Sequence, residues 1–359
     1  MTTSDDGSVA GMRWSGQRAD RVDEGTLPGL ARLAGFVRSV RTPEFRGVTF
    51  HEVLAKTALN HVPADARMLP GEFTINPYRG CTHACQYCFA RNTHTRLGLN
   101  IAGDFDNEII VKTNIVEVLR GELARKRKLP PRVAFGTNTD VYQRAEGRYA
   151  LMPGIIDALA AFRIPFSILT KGTLIRRDLD RLVAASRVTT VHLGLSISIM
   201  DERLQQSVEN GTPVTTARLA TITAIRDAGL PCTVFLSPIL PRLTDSPEQL
   251  AELVGAVAAA GATSVLFHPL YLSSGVKDVF FAWLRESHPD LVSEYTTLYS
   301  SGSKRLREYR HEIDSRIRPL IAKHGFPDPD KTIEDRFALN GRRRQPAEEP
   351  SQPTQPTLF

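Results

Sequence analysis

Cysteine is scarce in this chain: four among 359 residues. That density excludes a disulfide-stapled scaffold, and a chain of this length can bury a core without staples. Long apolar runs are also missing. None reaches the ~20 uncharged apolar residues of a membrane helix. The nearest, Leu253 to Phe267, is short, rich in Ala and Gly, and broken by Gly261. The first residues, Met1 to Gly7, carry neither a basic n-region nor an apolar core, so a reducing cytoplasm without membrane contact is the expected setting. A large excess of one charge is absent too. Lys plus Arg is 45 against 39 Asp plus Glu, a net +6, which permits a polyanionic partner without requiring one. With 42% apolar and 23% charged residues, the balance is that of a soluble globular protein. At roughly 150 residues per domain, the length allows about two units or one large α/β barrel with additions.

What is present is a regular alternation. Apolar, β-branched runs predict strands at Phe73–Asn76, Ile109–Lys112, Val133–Phe135, Phe166–Thr170, Val191–Ile197, Thr233–Leu236 and Ser264–Phe267. Helices are predicted between them at 114–126, 151–162, 177–185, 215–228 and 247–260. Asn114 with Glu117, and Ser246-Pro247-Glu248-Gln249, read as capping boxes. Gly229 and Gly261 read as helix stops. Strands alternating with helices of this length argue for βαβ units and a parallel sheet. The expected class is α/β, a partial (β/α)6-type barrel. Residues 1–66 form an N-terminal extension, in which Leu30 to Val40 is a candidate short helix, and 67–270 form the barrel. Residues 271–339 read as a helical cap, with Phe280, Phe281, Trp283 and Leu284 as its apolar face. Residues 340–359 lose all apolar periodicity and read as a disordered tail.

The strongest chemical signal is Cys81-Thr82-His83-Ala84-Cys85-Gln86-Tyr87-Cys88, directly after the first barrel strand. Thiolates are soft ligands that suit zinc or iron–sulfur clusters. A structural zinc site takes four ligands, usually as two spaced pairs. No second pair exists here, although His83 or His94 can complete a zinc site. Three cysteines without a fourth also suit a [4Fe–4S] cluster with one iron open. The position fits as well, because parallel barrels carry their sites at the C-terminal ends of strands.

C-x3-C-x2-C after the first strand of a βα series resembles the radical S-adenosylmethionine (SAM) superfamily. Asn76-Pro77-Tyr78-Arg79-Gly80-Cys81 through Cys88-Phe89-Ala90-Arg91 is similar to the group related to spore photoproduct lyase, also described as DNA repair photolyase-like. Gly136-Thr137-Asn138-Thr139-Asp140, Leu169-Thr170-Lys171 with Arg177-Asp178, and Pro238-Ile239-Leu240-Pro241 with Thr244-Asp245 follow that group in order and spacing. Met12-Arg13-Trp14, Arg41-Thr42-Pro43-Glu44-Phe45 and Ala55 to Asn60 resemble an actinobacterial subfamily without an assigned reaction. The resemblance implies that Cys81, Cys85 and Cys88 hold three irons and that the fourth binds the amino and carboxylate groups of SAM. An electron, from a flavodoxin- or ferredoxin-type donor, then cleaves SAM, and the resulting radical abstracts hydrogen from substrate. It further implies that Tyr87 lies by the adenine, that Asn138, Thr139 and Asp140 lie at the SAM amino group, and that Lys171 and Ser196 lie at its carboxylate.

The chain also departs from the lyase. Where lyases carry a cysteine that returns hydrogen to the product radical, it has Thr137, whose hydroxyl hydrogen is far harder to abstract. Glu-Pro-Gly-Thr-Pro reads Glu209-Asn210-Gly211-Thr212-Pro213, and a basic residue of the relatives reads Ser273. By family analogy the expected substrate is a nucleic-acid lesion or nucleotide. The alternatives are radical modification of a small molecule, protein or RNA, and a non-catalytic, metal-stabilised DNA-associated protein. Arg125 to Lys128 end a helix, where cations favour the dipole. Lys304, Arg305, Arg307 and Arg310, interleaved with Glu308 and Glu312, read as a solvated face. Arg342-Arg343-Arg344 can add salt-sensitive phosphate binding. Gln355-Pro356-Thr357-Leu358-Phe359 resembles the peptide by which bacterial repair proteins dock on the replication sliding clamp.

Overall fold

The strands follow the apolar runs. In chain order they are β1 (Phe36–Val40), β2 (Thr49–Val53), β3 (Leu59–His61), β4 (Phe73–Ile75), β5 (Tyr78–Arg79), β6 (Glu108–Lys112), β7 (Val133–Phe135), β8 (Phe166–Thr170), β9 (Val191–Ser196), β10 (Cys232–Ile239) and β11 (Ser264–Pro269). The computed structural model that gives them describes residues 35–62, 73–300 and 304–332. The helices are α1 (Gly103–Asn107), α2 (Ile115–Arg125), α3 (Arg144–Tyr149), α4 (Leu151–Ala161), α5 (Leu179–Ser186), α6 (Glu202–Val208), α7 (Thr215–Asp227), α8 (Pro247–Ala260), α9 (Val276–Ser287), α10 (Val292–Leu298) and α11 (Lys304–Lys323).

Among the described residues, one sheet runs in the order β11-β10-β9-β8-β7-β4-β3. Its strands pair in parallel from β4 to β11, and β3 closes the β4 edge antiparallel. This is an α/β fold with a partial barrel of six parallel strands. The strands are buried on both faces, as covered parallel sheets are, and the core runs through Ile168, Leu193, Leu195 and Val234. A second sheet, β1-β2-β6-β5, stands beside it.

Two expectations need correction there. Ile109–Lys112 belongs to the second sheet, where β6 pairs in parallel with β2. Ile109 and Val111 face the main core while Ile110 faces a separate small cluster. A strand buried on both faces gives the same unbroken apolar run as a barrel strand, so the sequence pattern did not separate the two. The second correction is Leu30 to Val40. Its described part is strand β1, paired antiparallel with β2 and tied to it by Arg38–Glu52 at 2.8 Å. The β-branched Val37 and Val40 suit that pairing.

Helix ends divide likewise. Ser246 Oγ accepts from Gln249 N while Gln249 Oε1 accepts from Ser246 N, the expected capping box. Gly261 ends that helix in the left-handed region. Asn114 makes no capping bond; its Oδ1 accepts from Ala55 N at 2.7 Å and fastens the N-terminal segment instead. The predicted helix at 177–185 begins as a 3-10 turn over Thr173–Asp178 before α5.

The cap is helical as predicted. Phe280, Phe281, Trp283 and Leu284 are buried in a second apolar cluster that includes Cys85 and Tyr87, so these helices cover the cysteine loop. Among the described residues, no helix is long and apolar enough to cross a membrane. Met12-Arg13-Trp14, Arg342-Arg343-Arg344, the 340–359 tail and Gln355–Phe359 lie outside the described residues.

Replacing Ser246 with Ala removes the cap and one bond of the box. The expected loss is about 1 kcal/mol, measured by urea denaturation against wild type.

Candidate metal and cofactor site

The cysteine loop follows β5 and is held mainly by residues other than cysteine. Arg91, fully buried, donates from Nε to Cys85 O at 2.9 Å and pairs with Asp106 at 2.9 Å. Its guanidinium also covers the Phe105 ring at 5.2 Å. Gln143 grips the other end, its Oε1 accepting from Thr82 N at 2.8 Å and its Nε2 donating to Gly80 O at 3.1 Å. Thr139 Oγ1 adds a bond to the same carbonyl at 2.7 Å. The loop after α6 closes over it. Cys85 bridges Glu209, and a Cβ on Gly211 would stand 1.9 Å from Thr82 O. Glycine is required there by contact, not by turn geometry.

Cys81, Cys85 and Cys88 all line one cavity of about 260 Å³. Burial pushes all three thiols up, so metal loading must displace protons. The donor set fits a cluster: three soft ligands on one loop, facing a common space. Among the described residues, no three His, Cys, Asp or Glu side chains converge as they would on a single ion. Of the histidines of the zinc alternative, His83 lines this cavity and His94 does not. His83 Nδ1 lies 3.3 Å from Asp140, and His94 Nε2 lies 3.2 Å from Glu108 O.

Across the cavity stand the ends of the barrel strands. Tyr87, Thr139, Asp140, Lys171 and Ser196 line the same space. Lys171 Nζ donates to Ser196 Oγ at 2.9 Å and pairs with Glu209 at 3.1 Å. Its charge lies 5.7 Å from the centre of the Tyr87 ring. Asp140 accepts from Thr170 Oγ1 at 2.6 Å and from Lys171 N at 2.7 Å. Burial alone would raise its carboxyl, but His83 and these bonds hold it below the usual carboxylate range. Asn138 does not join this group and lines a neighbouring cavity. Thr137 stands on the wall shared by the two, its buried Oγ1 without a partner among the described residues. Cys232, by contrast, sits at the start of β10, opposite the end that carries Ser237. Ser273 Oγ accepts from Asn92 at 3.1 Å, and Asn210 is exposed.

A scan against family models matches the Radical SAM superfamily over residues 75–254. The chain belongs to the radical SAM superfamily. Membership implies an enzyme that uses an iron–sulfur cluster and SAM. An uncharacterized protein of Mycobacterium tuberculosis is 54% identical over 317 residues, covering 87% of this chain and 93% of that protein. An uncharacterized protein of Methanocaldococcus jannaschii is 26% identical over 184 residues, 51% of this chain and 66% of that one. Among solved structures, a cysteine-to-serine mutant of spore photoproduct lyase aligns with TM-score 0.57 at 18% identity, over 77% of this chain and 79% of that chain. A double mutant of that lyase with bound AdoMet and dinucleoside spore photoproduct aligns at 0.56 and 16% identity over the same shares. At these identities the likeness establishes the fold.

Glu209 and Arg218 are the site residues that the sequence reading passed over. Glu209 is fully buried, accepts from the Tyr87 hydroxyl, and pairs with Arg218, which is itself 1% exposed. Burial alone would raise the Glu209 carboxyl; Arg218 and Lys171 outweigh it and hold the group well below the usual carboxylate range. A signal for Arg218 did exist. With Ile222 and Ile225 it falls on the buried stripe of α7, where a charge needs a partner.

Removing Arg218 leaves Glu209 buried with half its compensation. Arg218→Met is expected to cost about 3–5 kcal/mol and Lys171→Met less, since Arg218 and Tyr87 remain; thermal and urea unfolding of both variants check the order.

Proposed function

We propose that this chain cleaves SAM reductively at a [4Fe–4S] cluster held by Cys81, Cys85 and Cys88, and starts hydrogen abstraction on a nucleic-acid lesion or nucleotide. The observation that carries the reading is the meeting of the three loop thiols with Tyr87, Asp140, Lys171 and Ser196 around one cavity. When bound, the cluster and SAM supply homolytic cleavage and a carbon radical that takes hydrogen from substrate.

The chain's own residues do the rest. Lys171 presents a cation to the SAM carboxylate, with Ser196 fixing its Nζ. Asp140 presents an anion to the amino group and, through His83 and Thr170, ties the cysteine loop to β8. Glu209 fixes the Tyr87 hydroxyl, so the ring keeps its place in the cavity wall. The cap helices keep water from the loop, with Trp283 anchored to Ser207 at 2.7 Å. Thr137 supplies no transferable thiol hydrogen. We therefore assign the chain a reaction whose last hydrogen comes from another donor. A flavodoxin- or ferredoxin-type protein is the proposed electron source, and Gln355–Phe359 the proposed contact with the sliding clamp.

Anaerobically reconstituted protein with SAM and dithionite should form 5′-deoxyadenosine, and Cys85→Ala should not. Equal product from both, measured by chromatography, overturns the proposal. Lys171→Met should raise the SAM requirement about tenfold or more, the worth of one charged hydrogen bond. A peptide of residues 345–359 should bind the clamp saturably in a fluorescence anisotropy titration.

A further inference from the structure

Beside the thiol cavity lies a larger one of about 580 Å³, within the roughly 300–1,000 Å³ range of small-molecule sites. Phe89, Thr137, Ser237 and His268 line both. Its charged lining has one sign. Arg79, Arg96 and Lys112 face it and, among the described residues, no Asp or Glu does. The cause lies in the second sheet. β5 pairs antiparallel with β6, placing Tyr78 opposite Val111 and Arg79 opposite Ile110. Tyr78 and Val111 turn together into the main core. Arg79 and Lys112 share the other face by the alternation of a pleated pair.

Among the described residues, none of these three cations has a side-chain hydrogen bond or a carboxylate partner. Burial and the charge of Arg79 push Lys112 down to about 8. Like charges gathered in a partly desolvated wall are unfavourable until an anion joins them.

Two further features describe the ligand. Asn76 is 8% exposed and its Oδ1 has no partner among the described residues, so an acceptor on the cavity wall awaits a donor. Phe89, on the wall shared with the thiol cavity, is 42% exposed and has no ring neighbour among the described residues. An open ring face of this kind suits a planar base.

We propose that this cavity is the substrate chamber and that it recognises a nucleotide-type substrate by its phosphate. Arg79, Arg96 and Lys112 clamp the oxyanion, Phe89 takes the base, and Asn76 accepts a bond from it. The inference rests on the radical SAM reading, because the shared wall sets this ligand beside the SAM cavity.

The test is direct binding to the cluster-loaded protein without reductant, so no turnover is needed. One probe is a fluorescent dinucleotide with a 5′-phosphate. The other is its neutral counterpart, with a methylphosphonate link and a 5′-hydroxyl. The charged probe should bind about tenfold tighter or more. Arg79→Gln and Lys112→Gln should each remove most of that difference while leaving the neutral probe unchanged. Arg96→Gln, at an exposed position, provides the same comparison should either of the other variants fail to fold. Equal binding of the two probes, or a phosphate preference that survives all three substitutions, overturns the clamp. The 5′-deoxyadenosine assay fails independently. Phosphate preference without SAM cleavage upholds the clamp and refutes the radical reading, and cleavage without phosphate preference does the reverse.

Discussion

The carboxylate of Glu209 is the constraint on which the site depends. It has no exposed surface, and Arg218, Lys171, Tyr87 and Thr212 all converge on it. Each partner comes from a different part of the fold: α7, the end of β8, the cysteine loop and the turn after α6. An unpaired buried charge costs several kcal/mol, so these four segments form together or not at all. The ion pair is therefore less a source of net stability than a specification of geometry. It sets the height of Lys171 over the Tyr87 ring and seats Gly211 against Thr82 O, where no Cβ fits.

The loop is braced by side chains other than the cysteines. Arg91 donates to Cys85 O, Ile101 O and Ala102 O, and Gln143 clasps Gly80 and Thr82. Bonds from fixed side chains to loop carbonyls and amides do what a regular ladder would do elsewhere. The thiols are consequently held facing their cavity as neutral, buried groups. A metal held by these thiols would have to displace their protons.

Much of this was legible in the sequence, for identifiable reasons. Barrel strands carry near-continuous apolar runs because both faces are covered, and the capping box at Ser246 and the stop at Gly261 are local chemistry. The thiol ligands were legible because C-x3-C-x2-C has few other uses. Lys171, Ser196, Tyr87 and Asp140 were found through their place after strands in a resembling family, and they share the cavity. Asn138, adjacent in sequence, faces the other chamber from the bend that follows β7. What stayed hidden depends on pairing between distant segments. β6 reads as a barrel strand until β2 is placed beside it. Asn114 reads as a cap until Ala55 is seen to use its side chain. Glu209 lay in a quoted motif, but only the fold shows what surrounds it.

The two cavities differ in electrostatic character, and that difference sorts ligands. The smaller carries Asp140 and Lys171 on its wall, one charge of each sign. That matches a zwitterionic amino acid end, whose ammonium and carboxylate each need an opposite partner. Among the described residues, the Lys, Arg, Asp and Glu side chains on the larger are all cations. A sulfonium ligand such as SAM is repelled there, while a phosphate is attracted. Each ligand thus has a preferred chamber before any shape is considered. Thr137 and Phe89 stand on the wall common to both, so the proposed assignment would bring the two ligands face to face across it.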